Sequence, residues 1–480
     1  MLLFSYDYLF FLFAAFALYN LINIKFRYIV LFVASVVFIS SISIKVALFS
    51  ILFTTLNYFL GIFLERARKY PGLKTKIFWS GIILNVGFLA FFKYINFIFE
   101  NINSFAKTVS LNVELPYLNL IILIGVSYYT FQSLGYLIRI NRGGEDAIQN
   151  YAKFATFLLF FPKFLSGPVE RSQHFFPQID NLKKFDQQGV TDGLRLFLWG
   201  AFKKIVIANT LYEPVSQIYN DVHGYSGIPL IAVFFIQLIY IYCDFSGYTD
   251  MALGSAKIFG IDLIDNFKRP FLARTISEFW KRWHISLSSW CNDFIFNPFI
   301  VKYRRLGNTA AVLGIFLTFF IIGIWHGANW TFVILGLLQG IAIVYEFYTK
   351  KFRLKIASRF PRSIVFGVSR LIVITYMSLS MVFFFSHSLA DAWYFITHLF
   401  SGFEFVFHGF ELVSNKPKFL IALGLFLLMF IAEMYSESIK DIPTLFFNQP
   451  QWVRWGGYYL IIILLYIYNS DVEAFVYMEF

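Results

Sequence analysis

The chain is expected to fold as an all-α, polytopic integral membrane helical bundle of about 10–12 spans. Three observations lead there. Hydrophobic residues fill 58% of the 480 positions and charged residues only 14%, roughly half the charge of an ordinary soluble domain. Mean hydropathy is +0.65. Apolar runs near the length a helix needs to cross a bilayer recur throughout, and in lipid such runs satisfy their backbone groups as helices. A soluble enzyme and a disordered chain are thereby excluded.

The first run, at 8–24, carries an Ala15-Phe16-Ala17 that imitates a signal-peptidase site. No Lys or Arg precedes Lys25, so the positive region of a signal peptide is missing and the run is expected to stay as a first span. Further runs lie near 28–44, 46–64, 77–99, 117–138, 195–213, 229–262, 309–325, 330–348, 364–386, 417–435 and 452–469. Basic clusters at Lys25/Arg27, Arg66–Lys76, Arg139/Arg142, Lys268–Arg305 and Lys350–Arg362 suit cytoplasmic loops. Both termini then lie outside, with the low-charge loops 100–116, 214–228 and 388–416. The net charge of +12 is thus assigned to topology rather than to nucleic acid, which is not expected as a partner.

Two regions resist assignment as spans. Residues 150–190 are broken by Pro162 and Gly167-Pro168, and residues 266–305 interleave Trp280, Trp283 and Trp290 with Lys281, Arg282 and His284. Both read as re-entrant or amphipathic segments at the lipid–water interface. One membrane domain is expected over 1–480, its core roughly 117–348, with C-terminal spans and an aromatic tail over 364–480. Cys243 and Cys291 form neither a CxxC nor a disulfide framework.

Ionisable groups inside apolar segments are costly and therefore point to function. Tyr242–Asp250 places Asp244, Ser246, Tyr248 and Asp250 inside the 229–262 run. Asp244 and Asp250 need partners there, for which Arg269 or Arg282 could serve; the cluster is either a structural ion-pair network or a substrate contact. The second cluster is Phe279–Ser288, with His284. The third is Ile324–Trp330, where Gly327 and Ala328 leave room beside His326 and Trp325 and Trp330 can wall it from water. A neutral imidazole in a partly dehydrated channel stays available as a base. No HExxH, P-loop, GxGxxG or GxSxG occurs, so metallohydrolase, NTPase, dehydrogenase and serine-hydrolase readings have no support, and no metal is expected.

Several stretches together carry a family resemblance: Tyr129–Ser133, Phe161-Pro162-Lys163, Ser166–Arg171, Asp244–Asp250, Asn266–Pro270, Phe279–Trp290 and Trp325–Ala328. In this order and spacing the chain resembles the membrane-bound O-acyltransferase (MBOAT) superfamily, in particular the bacterial branch of the alginate O-acetyltransferase membrane subunit. It departs from the family pattern at Cys291-Asn292 before Asp293 and at Asn297–Ile300, which bears on the substrate rather than on the chemistry.

The resemblance implies acyl transfer across a bacterial cytoplasmic membrane. A thioester such as acetyl-CoA donates from the cytoplasmic side, and a hydroxyl of an extracytoplasmic polysaccharide accepts. It implies His326 as catalytic base at the floor of an outward-facing funnel, where hydropathy alone places it near the outer surface. His284 would be a second essential residue; it or nearby Trp and Asn groups would stabilise the oxyanion. Donor or substrate contacts are expected among Asp244, Ser246, Tyr248, Asp250, Asn266, Arg269, Trp280, Arg282, Trp283, Trp325 and Asn329, with Lys268, Arg269, Lys281 and Arg282 suited to coenzyme A phosphates.

The tail ending at Phe480 is an interfacial anchor on composition alone. It also resembles a C-terminal tyrosine motif of bacterial O-acylation systems, which implies Tyr477 as a transient acyl carrier and a periplasmic or extracellular acyltransferase as partner. D-alanyl transfer to teichoic acid and peptidoglycan O-acetylation are the alternatives within this chemistry. A transporter or flippase for a lipid-linked saccharide, using Asp244, Asp250 and the basic 268–282 stretch as its pathway, and a scaffold subunit of an exopolysaccharide export complex are the alternatives outside it.

Overall fold

In the computed structural model, which describes residues 3–112, 114–120, 124–401, 412–438, 446 and 448–469, almost every apolar run is a helix. In chain order these are α1 (Tyr6–Leu21), α2 (Arg27–Ile42), α3 (Ile44–Arg66), α4 (Pro71–Thr108), α5 (Val126–Arg142), α6 (Tyr151–Leu159), α7 (Ser172–Asp180), α8 (Gln187–Ala201), α9 (Asn209–Asn220) and α10 (Ile228–Ile258). There follow α11 (Ile276–Trp280), α12 (Ile285–Cys291), α13 (Asn297–Lys302), α14 (Asn308–His326), α15 (Trp330–Ala357), α16 (Arg362–Phe385), α17 (Leu389–His398), α18 (Lys416–Ser438) and α19 (Gln451–Tyr468). Among the described residues, eight stretches, α2–α4, α10, α14–α16 and α18, are long and apolar enough to cross a membrane. α1, α8 with α9, and α19 follow the runs near 8–24, 195–213 and 452–469, and α5 takes up the 117–138 run from Val126 onward; these helices are shorter or more polar. The protein is an all-α, polytopic membrane protein.

Helix boundaries follow local chemistry. Ser5 and Ser43 accept from the Tyr8 and Val46 backbone N–H groups to start α1 and α3, and Pro71 opens α4, as the unsatisfied first turn favours. The two broken regions fold as short pieces. Over 150–190 these are α6, a 3₁₀ turn at Phe161–Lys163 and α7; over 266–305 they are α11, α12, a π turn at Asn292–Phe296 and α13. A second π turn, Phe202–Ala208, joins α8 to α9.

The chain divides into two compact units, Met1–Phe197 with Met251–Asp265, and Leu198–Asp250 with Asn266–Phe480. The first holds α1–α7, and phenylalanine fills its interior: Phe161 meets Phe11 edge-on at 5.1 Å, and Tyr8 meets Phe38 at 5.8 Å. Polar groups there are paired across helices, as burial demands. Asn85 donates to Asn57 at 2.8 Å, and Tyr8 donates to Ser255 at 2.9 Å.

In the same unit, Lys163 is fully buried, donating to Gln132 and to the Phe157 carbonyl, and burial pulls its amine down to about 7. Glu170 accepts from the Arg171 and Ile264 backbone N–H groups and binds His174. The Phe161–Lys163 and Ser166–Arg171 motifs are thus built into the interior of this unit.

In the second unit, α14 and α15 cross at glycine. A Cβ on Gly323 would lie 2.4 Å from the Phe332 carbonyl oxygen, and one on Gly336 would lie 2.3 Å from that of Phe319. Neither backbone oxygen can move aside without separating the helices. Gly336→Ala is therefore expected to cost about 1–3 kcal/mol, read as a lower thermal midpoint in detergent; an unchanged midpoint would mean the crossing is not tight.

Candidate active site

The site is built where α14 ends. His326 is its last residue, and Asn329 caps α15 by accepting from the Thr331 N–H. Trp325 is buried, with its indole centroid 5.2 Å from the His326 ring and 5.6 Å from the His284 ring. The two imidazoles, 42 positions apart in the chain, thus flank one indole. Phe384, at 5.6 Å, and Phe332 complete the wall around His326. The room expected beside Gly327 is taken by Phe332, whose ring comes within 2.1 Å of where a Cβ would sit. Trp330, expected as a second wall, is half-exposed.

His284 reaches the site through an unusual backbone. It sits before α12 in the left-handed region, at φ +46°, a strained position for a residue other than glycine. Antiparallel pairing holds it there: Lys268 N–H donates to the Arg282 carbonyl at 2.9 Å, Ile285 N–H donates to the Asn266 carbonyl at 3.0 Å, and Phe267 bridges Trp283. The loop is anchored further by Glu346, whose carboxylate accepts from the Ile276 and Ser277 N–H groups at the start of α11. His284 is fully buried, packed edge-on against Phe245 at 4.8 Å. Burial, with His326 nearby, holds its imidazole well below the ordinary histidine range.

His326 lines a small apolar cleft whose walls include Trp280, Trp283, Gln339, Met377 and Met381. Gln339 fixes one side: its Oε1 accepts from Trp280 Nε1 at 3.0 Å, and its Nε2 donates to Ser380 at 2.8 Å.

The Asp244–Asp250 segment forms its own network, with partners other than the arginines expected. Lys204 and Asp244 pair at 2.5 Å, both fully buried. Lys203 binds Asp250 at 2.8 Å and Ser246 at 2.9 Å. Arg269 and Arg282 are instead tied to Glu437, at 3.2 and 2.7 Å, and Arg282 also to Glu278. The Asp244–Asp250 segment touches His284 through Phe245. Tyr248 is buried, and Asn329, besides capping, donates to the His387 carbonyl at 2.9 Å. Tyr477 lies outside the described residues. Among the described residues, no group of three or more His, Cys, Asp or Glu could hold a metal ion.

His326, His284, Trp325, Trp280, Trp283 and Asn266 thus come together as side chains of one region. Lys203, Lys204 and Gln339 were missed, although each is a polar residue inside an apolar run and so carried the signal that singled out Asp244. Phe332, Phe384, Met377 and Met381 carried none.

The model of the MBOAT, membrane-bound O-acyltransferase family matches residues 69–386, a stretch that includes both histidines. The chain belongs to this family. Among its relatives, a Pseudomonas syringae pv. tomato protein named "Probable alginate O-acetylase AlgI" is 34% identical over 338 residues, 68% of this chain and 62% of the relative. The peptidoglycan O-acetyltransferase of Helicobacter pylori is 31% identical over 342 residues, 65% of this chain and 62% of the relative. The teichoic acid D-alanyltransferase of Bacillus subtilis is 31% identical over 247 residues, 48% of this chain and 61% of the relative. The chain thus spans less than two thirds of the length of each of these family members.

Proposed function

We propose that this protein is an O-acyltransferase that moves an acetyl group from a cytoplasmic thioester, acetyl-CoA in the simplest case, to hydroxyls of an extracytoplasmic polysaccharide. The observation that carries this is the pair of buried imidazoles against Trp325, with His326 lining an apolar cleft. His326 takes the proton of the attacking hydroxyl, the oxygen forms its bond to the thioester carbonyl carbon, and the C–S bond breaks. The proton then passes to the departing thiolate. Apolar walls keep water, a competing acceptor, away from the thioester. The wider match to O-acetylases than to the D-alanyltransferase, 68% against 48% of the chain, favours acetyl over D-alanyl. The protein would work in the bacterial cytoplasmic membrane with both termini outside, handing acyl groups to a separate extracytoplasmic transferase.

In that handover Tyr477 would carry the acyl group as a phenol ester. A phenol, with a pKa near 10, gives an ester intermediate in transfer potential between a thioester and a sugar ester. The test is incubation of detergent-purified protein with radiolabelled acetyl-CoA. Label on the wild type, absent from His326→Ala, supports the reading; its absence from Tyr477→Phe as well supports the relay. Label kept by Tyr477→Phe removes the relay. No transfer by the wild type to protein, polysaccharide or partner removes the proposed donor.

A further inference from the structure

Asn266 sits where the antiparallel pairing brings 266–268 beside 282–285. Its side-chain oxygen Oδ1 gathers three contacts: from the Ser286 backbone N–H at 3.2 Å, from Ser286 Oγ at 2.8 Å, and with His284 Nδ1 at 3.0 Å. A backbone N–H can only donate, so the atom it meets is the amide oxygen and not the amide nitrogen. An amide oxygen can only accept, so His284 Nδ1 carries a hydrogen. In the neutral ring Nε2 must then hold a lone pair. That Nε2 is buried and has no hydrogen-bond partner among the described residues, although a buried polar atom is ordinarily satisfied.

We propose that Asn266 is a positioning residue that holds His284 as the neutral Nδ1–H tautomer, so that Nε2 meets the site as an acceptor. This rests on the acyltransferase reading above and changes one of its parts. While neutral in this tautomer, His284 has no free N–H with which to stabilise an oxyanion. It suits the opposite task, easing the positive charge that His326 acquires on taking the hydroxyl proton. Both rings lie against Trp325, and a second imidazolium there would oppose the first. The groups facing His284 bear this out. Phe245 from α10 and Trp325 are uncharged, His326 from α14 is the titratable neighbour that bears on it, and Asp244 of α10 is paired with Lys204.

Two substitutions separate this role from a structural one. Asn266→Ala removes the acceptor and frees the tautomer; acyl transfer should fall about 10–100-fold in kcat, with the donor KM within about twofold, as for other residues that orient a ligand's imidazole from behind. Asn266→Asp keeps an acceptor for Nδ1–H but adds a charge that raises the basicity of His284. It should regain most of the lost kcat near its optimum, with the acidic limb of the kcat profile moved to higher pH because His284 becomes protonated sooner.

In parallel, ¹⁵N spectra of protein labelled at histidine should show one imidazole protonated at Nδ1 and bare at Nε2. That signal should be lost in His284→Gln and altered in Asn266→Ala. A kcat within twofold of wild type for Asn266→Ala, an Asp variant as impaired as the Ala variant at every pH, or an Nε2–H tautomer at His284 would each overturn the proposal. Absence of transfer by the wild type would sink the acyltransferase reading, while the spectra still decide the tautomer.

Discussion

His326→Ala is expected to lower acyl transfer about 10²–10⁴-fold, the range a positioned general base contributes. The ring is nearly buried, lines the cleft and is braced by Trp325, Phe332 and Phe384. Its loss would therefore remove the proposed base from a site that keeps its walls. His326→Gln fills more of the same space and should be comparably inactive, which separates lost chemistry from a collapsed cavity. Initial rates of labelled acetyl transfer, with gel filtration to confirm intact protein, are the measurement. Activity within tenfold of wild type in both variants would remove His326 from the mechanism.

The second large effect is on folding. Lys204 and Asp244 are fully buried and meet at 2.5 Å, linking the π turn at Phe202–Ala208 to α10. Removing one partner leaves the other charge in the interior without its ion pair, at a cost of about 3–5 kcal/mol. Lys204→Met should accordingly yield little monodisperse protein and a much lower thermal midpoint. The double variant Lys204→Met/Asp244→Leu removes both charges and should recover much of the loss. If Lys204→Met alone unfolds like the wild type, the pair contributes no stability.

The helices were legible because their signal is apolar length. The runs read at 309–325 and 330–348 are α14 and α15, and their boundary falls at the His326–Asn329 turn that carries the site. Ends were harder. α15 continues to Ala357 and α4 covers Pro71–Thr108, since a helix can outlast its apolar part once its backbone bonds are in place. α5 starts at Val126, after Gly125 in the left-handed region, where the run at 117–138 shows no break in hydropathy.

His284 and His326 were visible as residues and through the family motif. The bonds between distant residues were not. Asp244 was matched to Arg269 or Arg282, which follow it in sequence, whereas it pairs with Lys204, 40 positions before it. Which cation meets which carboxylate depends on how helices cross, and local pattern carries no record of that.

The π turn before α9 gives this pairing a peculiar dependence. Its wider turn accommodates about one residue more than a regular α-helical turn. Deleting a single residue within 202–208 would let the segment rewind as ordinary helix, with its backbone bonds intact. The flanking helices would keep nearly their present register, because the removed residue is the one the wider turn had absorbed; with Phe202 as the deleted residue, the lysines inside the segment would instead move back by about one position, a rotation approaching 100°. Lys203 and Lys204 could not both keep their bonds to Asp250 and Asp244. At this place the spacing of the chain, and not the identity of any side chain, decides which charges meet, so related proteins should tolerate substitutions across the segment far more readily than a change in its length.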